Sequence, residues 1–100
     1  MDKELRLRIA EEEIKRFGLK NFVRGELAKR GYSYADVANE LKVSKELVRV
    51  VAVSRLLNKS VIRGIAKIIE LPEDYLIKKY EELYNEYLNK SQQGGNHENS

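Results

Sequence analysis

Residues 33–53 read SYADVANELKVSKELVRVVAV, and this stretch decides the fold of the chain. Ser33 and Ser44 each suit the start of a helix, and Asp36 follows Ser33 at the spacing of a capping box. Apolar residues recur on one helical face behind both caps: Val37, Ala38, Leu41, Val48 and Val51. Only Lys42 and Val43 separate the two segments, which indicates two short helices joined by a tight turn.

The second helix of this pair has a competing interpretation. Residues 47–53 are rich in β-branched side chains, which favour a strand when they are considered alone. The cap at Ser44 and the short spacing favour a helix, because intrinsic propensity is a weak guide that packing overrides. We therefore predict a helix from Ser44 that crosses the preceding helix closely at Ala38, where a small side chain is needed.

Helical periodicity continues on both sides of this pair. It predicts four further helices: residues 2–17, 20–30, 60–70 and 72–89. Asn21 and Ser60 are the candidate caps of the second and third of these, and Pro72 suits the first position of the last. Residues 91–100 lack apolar groups, so we expect them to be disordered. The fold class is therefore all-α, a compact bundle of five to six helices.

The composition excludes several classes of function. The 100 residues include no Cys and one His, His97, which leaves no thiolate metal site, thiol nucleophile or His-based triad. No phosphate-binding loop or nucleophile–base pair is recognisable, so we expect no enzyme, cofactor, metal or small-molecule substrate. No apolar run approaches the roughly 20 residues of a membrane span, and the charged start, Met1 to Glu4, predicts no signal peptide.

The charge of the chain is unevenly distributed. The net charge is +3, but residues 42–67 hold seven basic side chains and one acid, whereas residues 68–100 hold three basic and seven acidic ones. A basic block of this kind is typical of a surface that binds a polyanion. Chance clustering on a solvated helix surface is the alternative.

The central segment resembles a known family. Residues 34–53, read with Lys59 to Leu76, look like the Cro/C1-type helix-turn-helix transcriptional regulators of phages and bacteria. Leu41 to Ser44, Val48 and the segment IAKIIELPEDYL over residues 65–76 are similar to the phage Ner-like subgroup of that family. The resemblance implies a lambda-repressor-like bundle that contains a helix-turn-helix.

This resemblance also suggests a division of the chain. It gives four parts: an additional N-terminal helix over residues 1–18, a helix-turn-helix DNA-binding domain over 19–77, a C-terminal helix extension over 78–90 and the tail over 91–100. The chain departs from the family pattern at Lys42 and Ser54, where Gly is usual, and at Tyr34, where many members have a Gln that contacts phosphate. A left-handed backbone is costly for Lys, whereas a Tyr hydroxyl can replace the amide as a donor.

The resemblance implies sequence-specific binding of double-stranded DNA, with the helix that starts at Ser44 in the major groove. The candidate base contacts are its outward positions: Ser44, Lys45, Glu46, Arg49, Val50 and Val53. Arg and Lys can donate to guanine, Glu can accept from cytosine, and Val can pack on thymine methyls. The candidate phosphate contacts are Tyr34, Lys42, Arg55, Lys59 and Arg63. The plainer alternatives are a solvated Arg49, a Glu46 that only supports its helix start, and valines buried against the first helix.

A single recognition helix reads only a few base pairs, so we expect a homodimer that acts as a transcriptional repressor in the bacterial cytoplasm, or in that of a phage host, at the nucleoid. The candidate dimerisation residues lie on the last helix: Leu76, Tyr80, Leu83, Tyr84 and Tyr87. The first helix is the second candidate, unless it packs on the last helix within one chain. The alternative function is a helical protein-interaction module, such as an antitoxin or an anti-repressor.

Overall fold

The computed structural model describes the backbone of residues 2–99 and the side chains of residues 2–91. Within this part the chain forms six helices and no strand: α1 (Lys3–Phe17), α2 (Leu19–Lys29), α3 (Tyr34–Leu41), α4 (Lys45–Ala52), α5 (Lys59–Ile69) and α6 (Glu73–Asn99). The predicted all-α fold is confirmed, and the β-branched segment is helical through Ala52. The last helix continues through Asn99, where the sequence predicted an end near residue 89 and a disordered tail over 91–100.

The starts of α3 and α4 form as their capping signals predict. The Ser33 Oγ accepts the backbone N–H of Asp36 at 3.2 Å, and the Asp36 carboxylate accepts the backbone N–H of Ser33 at 2.9 Å. This is a complete capping box. The Ser44 Oγ accepts the backbone N–H of Leu47 at 3.1 Å, so α4 begins directly after Ser44.

The turn between α3 and α4 depends on a left-handed residue. Lys42 has φ 59° and ψ 45°, and its N–H and that of Val43 both bond to the carbonyl of Ala38. Ser54, after α4, also has a positive φ, 64°. Lys42 and Ser54 are two positions at which the resembled family usually has Gly. Both residues have a side chain, so the left-handed backbone is less favourable at these positions than it would be for Gly.

Three predicted helix starts are displaced. The cap predicted at Asn21 is wrong, because its side chain donates to the carbonyl of Phe17 from within α2. The cap predicted at Ser60 is wrong as well, because Asn58 caps α5 two residues earlier in extended conformation. Pro72 lies immediately before α6 rather than at its first position. Asn and Ser are both suitable N-caps, so residue type does not distinguish Asn58 from Ser60. The backbone conformation does, because Asn58 is extended and Ser60 is already helical.

One apolar core receives side chains from every helix. α1 contributes Ala10, the α3–α4 pair contributes Val37 and Val48, and α6 contributes Leu76 and Tyr80, the last only 1% exposed. Leu76 and Tyr80 were candidates for the dimer contact, and this expectation is wrong for both, because the chain's own core covers them completely.

The first helix packs on the last within one chain. The Glu11 carboxylate of α1 accepts the hydroxyl of Tyr75 at 2.7 Å and the ammonium of Lys79 at 2.5 Å, both on α6. Burial and the hydrogen bond to Glu11 together raise the pKa of Tyr75, so its hydroxyl is a donor at neutral pH. α1 therefore contacts α6 within one chain, and a part of α1 in a dimer stays a prediction.

A buried carboxylate joins α1, α2 and the end of α5. Glu26 is 4% exposed and accepts from Arg6 at 2.8 Å, from Lys29 at 2.9 Å and from Arg30 at 3.1 Å. The same guanidinium of Arg6 also donates to the carbonyl of Ile69, the last residue of α5. Burial alone would raise the pKa of Glu26, but the hydrogen bonds from the three cations overcome it and lower the pKa.

Candidate nucleic-acid interface

Helix α4 has one buried and one accessible side. Val48, Val51 and Ala52 are buried, which anchors the helix in the core. The predicted base contacts fall into two groups on the other side: Ser44, Lys45, Glu46 and Arg49 are exposed, and Val50 and Val53 are half-buried. Since residues three and four apart share a helical face, five of these side chains lie along one side of α4: Lys45, Glu46, Arg49, Val50 and Val53. Ser44 lies before the helix as its cap, and its hydroxyl accepts the backbone N–H of Leu47. Together these residues offer donors, an acceptor and methyl groups to a groove.

Two charged side chains on this side, Glu46 and Arg49, bind each other. The Arg49 Nε donates to Glu46 Oε2 at 3.1 Å and its Nη2 donates to Oε1 at 2.5 Å. These hydrogen bonds lower the pKa of Glu46 and raise the pKa of Arg49, so both groups are charged at neutral pH. Sequence reasoning had treated them as independent contacts to different bases.

Three predicted phosphate contacts approach α6. The Arg55 guanidinium lies 4.7 Å from the centre of the Tyr87 ring. Lys59 Nζ lies 4.0 Å from a carboxylate oxygen of Glu81, and Arg63 Nε lies 3.7 Å from one of Glu73. All three cations are exposed, as is Lys42 in the turn. The basic block is therefore accessible, but the acidic helix α6 borders it.

Tyr34 does not provide the predicted phosphate contact. Its hydroxyl oxygen is buried, has no hydrogen-bond partner among the described residues, and belongs to a side chain that packs against the core. Burial raises the pKa of this hydroxyl. The expectation from the resemblance is therefore wrong at this position, because the ring turns inward and takes its donor away from the surface.

Arg24 is a cation that sequence reasoning missed. A cleft of about 360 Å³ has both Arg24 of α2 and Lys45 of α4 in its wall, next to Ser33 at the start of α3. The sequence places Arg24 on the polar side of α2, between the buried Val23 and Leu27. It does not say which helix that side faces, and this is why the neighbourhood of Arg24 and Lys45 was not predicted.

The remaining dimer candidates lie further along α6. Leu83, Tyr84 and Tyr87 are half-buried, and the rings of Tyr84 and Tyr87 lie 6.5 Å apart. Leu88 on the same helix and Leu56 after α4 are exposed. An apolar surface therefore persists along this part of α6, outside the region that the core covers.

Two further features were sought in the described part of the chain, a metal site and a membrane-spanning helix. Among the side chains of residues 2–91, no group of three or more His, Asp or Glu is placed to hold a metal ion. None of the helices described combines the length and apolar character needed to cross a membrane. No family model matches the chain, and neither a curated protein nor a solved structure matches it significantly. The α4 surface must therefore be judged on its own geometry.

Proposed function

We propose that the chain is a sequence-specific, double-stranded-DNA-binding transcriptional regulator that acts as a repressor. In this proposal α3, the turn and α4 are a helix-turn-helix motif, and α4 enters the major groove. The observation that carries it is the two-sided α4, with an apolar side fixed in the core and a side rich in hydrogen-bonding groups in solvent. A short helix held in this way presents its N-terminal residues as a rigid unit.

Each accessible group then has a chemical role. Lys45 and Arg49 donate to guanine, and Val50 and Val53 pack on thymine methyl groups. The contacts to phosphate come from the cations around α4: Arg24, Lys42, Arg55, Lys59 and Arg63. These give affinity and orientation but carry little information about sequence.

The acids of α6 do not prevent this role. The pairs of Lys59 with Glu81 and of Arg63 with Glu73 are 4.0 and 3.7 Å long and solvent-exposed. Exposed pairs of this kind contribute at most about 1 kcal/mol and are screened by salt. A phosphate can therefore replace the carboxylate at either cation with little loss.

Homodimerisation is the second part of the proposal. One α4 reads only a few base pairs, and two copies would bind half-sites about 34–36 Å apart. The surface available for the contact is the apolar side of α6 around Tyr84, Tyr87 and Leu88, since the core covers Leu76 and Tyr80. Sedimentation equilibrium of the protein with and without a Tyr87→Glu change tests it, and a monomer at every concentration contradicts it.

The DNA proposal is tested by fluorescence anisotropy with random-sequence duplexes at 50 and 200 mM salt. Roughly five phosphate contacts predict that affinity falls about 10²- to 10³-fold between these conditions. Lys59→Ala should lower the salt dependence by about one contact, whereas Lys78→Ala on the exposed side of α6 should lower it less. Absence of binding at 50 mM salt would contradict the proposal and favour a protein-interaction module such as an antitoxin or an anti-repressor.

A further inference from the structure

Glu46 and Arg49 make a two-point contact that uses one edge of the guanidinium. The bonds run from Nε to Oε2 and from Nη2 to Oε1. Arg has five N–H donors, so this contact leaves two on Nη1 and one on Nη2. The side chain of Arg49 is half exposed, at 50%, so the unused donors are accessible from solvent.

The unused edge is the one that suits guanine. Its Nη1 and Nη2 groups each point one N–H away from Nε, in parallel, and such a fork matches O6 and N7 of guanine. The carboxylate occupies the other edge and limits rotation of the side chain. A guanidinium that is held before docking loses less conformational freedom when it binds a base.

We propose that Glu46 is a positioning residue, which holds Arg49 so that its Nη1–Nη2 edge reads one guanine of the half-site. This inference rests on the proposed DNA-binding function. It replaces the earlier expectation that Glu46 itself accepts a hydrogen bond from cytosine.

The electrostatics of the groove give the proposal a distinctive signature. In solvent this pair between residues three apart contributes little. Next to DNA, the Glu46 carboxylate is repelled by the phosphates, and this repulsion weakens binding to any duplex. In this proposal, the better-positioned contact of Arg49 with guanine offsets that loss at the specific site. Glu46→Gln should therefore leave affinity for random duplex unchanged or raise it, and at the same time weaken the preference for guanine. If Glu46 had only a structural role, Glu46→Gln would lower both the affinity for random duplex and the preference for guanine, or would change neither.

The test compares base preferences by selection from random duplex DNA, followed by sequencing. Arg49→Ala should abolish the preference for guanine at one position, about 10- to 100-fold. Glu46→Gln should reduce it about fivefold at that same position, which is the effect of one ordinary hydrogen bond. The double variant should match Arg49→Ala alone, because Glu46 acts only through Arg49.

Two controls separate the possible failures. Glu12→Gln on α1 makes the same change of charge on an exposed side chain of a distant helix. It should leave the base preferences intact and change the affinity less than Glu46→Gln does, because exposed charges more than about 10 Å apart are largely screened by salt. Thermal melting of each variant checks that the helices are retained.

Four results would overturn the inference. Additive effects of the two substitutions, or a loss of preference at a different position for Glu46→Gln, would mean that Glu46 contacts a base directly. Unchanged preferences in Glu46→Gln would mean that the pair has no part in recognition. If the wild-type protein binds no duplex, the proposed function fails first and this inference fails with it. A wild-type preference that Glu46→Gln leaves intact defeats the inference alone.

Discussion

Gly64 of α5 lies against Leu41 of α3 so closely that a Cβ atom at position 64 would overlap the Cδ2 of Leu41 and lie 3.1 Å from its Cγ. The backbone of Gly64 is helical, so this glycine is required for room and not for its conformational freedom. The contact sets how closely α5 approaches α3.

Replacing Gly64 by Ala should therefore lower the free energy of unfolding by about 1 kcal/mol. The Leu41 side chain must leave its position, and the loss of its packing exceeds the roughly 1 kcal/mol that Ala gains over Gly in a helix. In a Leu41→Ala background the obstacle is gone, so the same change should stabilise the protein by up to about 1 kcal/mol. Urea unfolding of the four proteins measures both effects. Equal effects in the two backgrounds would contradict the contact.

The Glu26 cluster should contribute strongly to stability. Glu26→Gln keeps the shape of the side chain but leaves Arg6, Lys29 and Arg30 without their shared anion. We expect a loss of about 2–3 kcal/mol, somewhat less than for a fully buried pair because Lys29 is exposed. The matched change Glu12→Gln on the surface of α1 should alter stability by less than about 0.5 kcal/mol. Similar losses in both variants, measured by urea unfolding, would mean that general charge rather than the cluster matters.

The same carboxylate predicts how stability depends on pH. The pKa of Glu26 is lowered in the fold, and so is the pKa of Glu11 through its hydrogen bonds from Lys79 and Tyr75. In an unfolded chain both titrate near 4.3. Their contribution is complete above about pH 5 and disappears as the pH falls through the lowered folded-state values. Urea midpoints should be constant from about pH 7 to 5 and fall below about pH 4, with a smaller fall in Glu26→Gln. Parallel curves for variant and wild type would count against this account.

The caps of α4 and α5 give a further comparison. Ser44→Ala and Asn58→Ala should each cost about 1 kcal/mol, because each removes an acceptor from a helix start. Ser60 lies inside α5 on the exposed side, so Ser60→Ala should be neutral or slightly stabilising. Thermal melting distinguishes these outcomes. A large loss in Ser60→Ala would move the start of α5 to the position that the sequence had indicated.

Tyr34 and Tyr75 allow a paired test, because only the hydroxyl of Tyr75 has a hydrogen-bond partner among the described residues. Tyr34→Phe removes a buried oxygen without a partner among the described residues, so stability should stay constant or rise by up to about 1 kcal/mol. Tyr75→Phe removes the donor to Glu11 and should cost about 1 kcal/mol. If the chain binds DNA, Tyr34→Phe should leave the affinity unchanged. A clear loss of affinity would return Tyr34 to the phosphate contacts.

Local signals in the sequence predicted local structure well. Ser33 with Asp36, and Ser44, carry the information for a helix start within three or four residues, and both caps form. The start of α5 was harder, because Asn58 and Ser60 are two suitable caps separated by one residue and only the backbone selects one. Predictions were weakest for side chains whose contacts come from residues far away in the sequence.

Glu26 illustrates that weakness. Its partner Arg6 is 20 residues away, and the carbonyl that Arg6 also binds is 63 residues from it. No periodicity connects such positions. The inward turn of Tyr34 and the position of Arg24 and Lys45 around one cleft were missed for the same reason, since each depends on how whole helices pack. The pairing of Glu46 with Arg49 was within reach, because residues three apart on a helix are neighbours.

Glu11, in the middle of α1, accepts hydrogen bonds from Tyr75 and Lys79 of α6 and so links the two helices. The middle of α1 and the first turns of α6 therefore cannot separate without breaking these two hydrogen bonds. In a hydrogen–deuterium exchange experiment, we expect the amides in the middle of α1 and those around Tyr75 to Lys79 to exchange at similar rates, as a single cooperative unit.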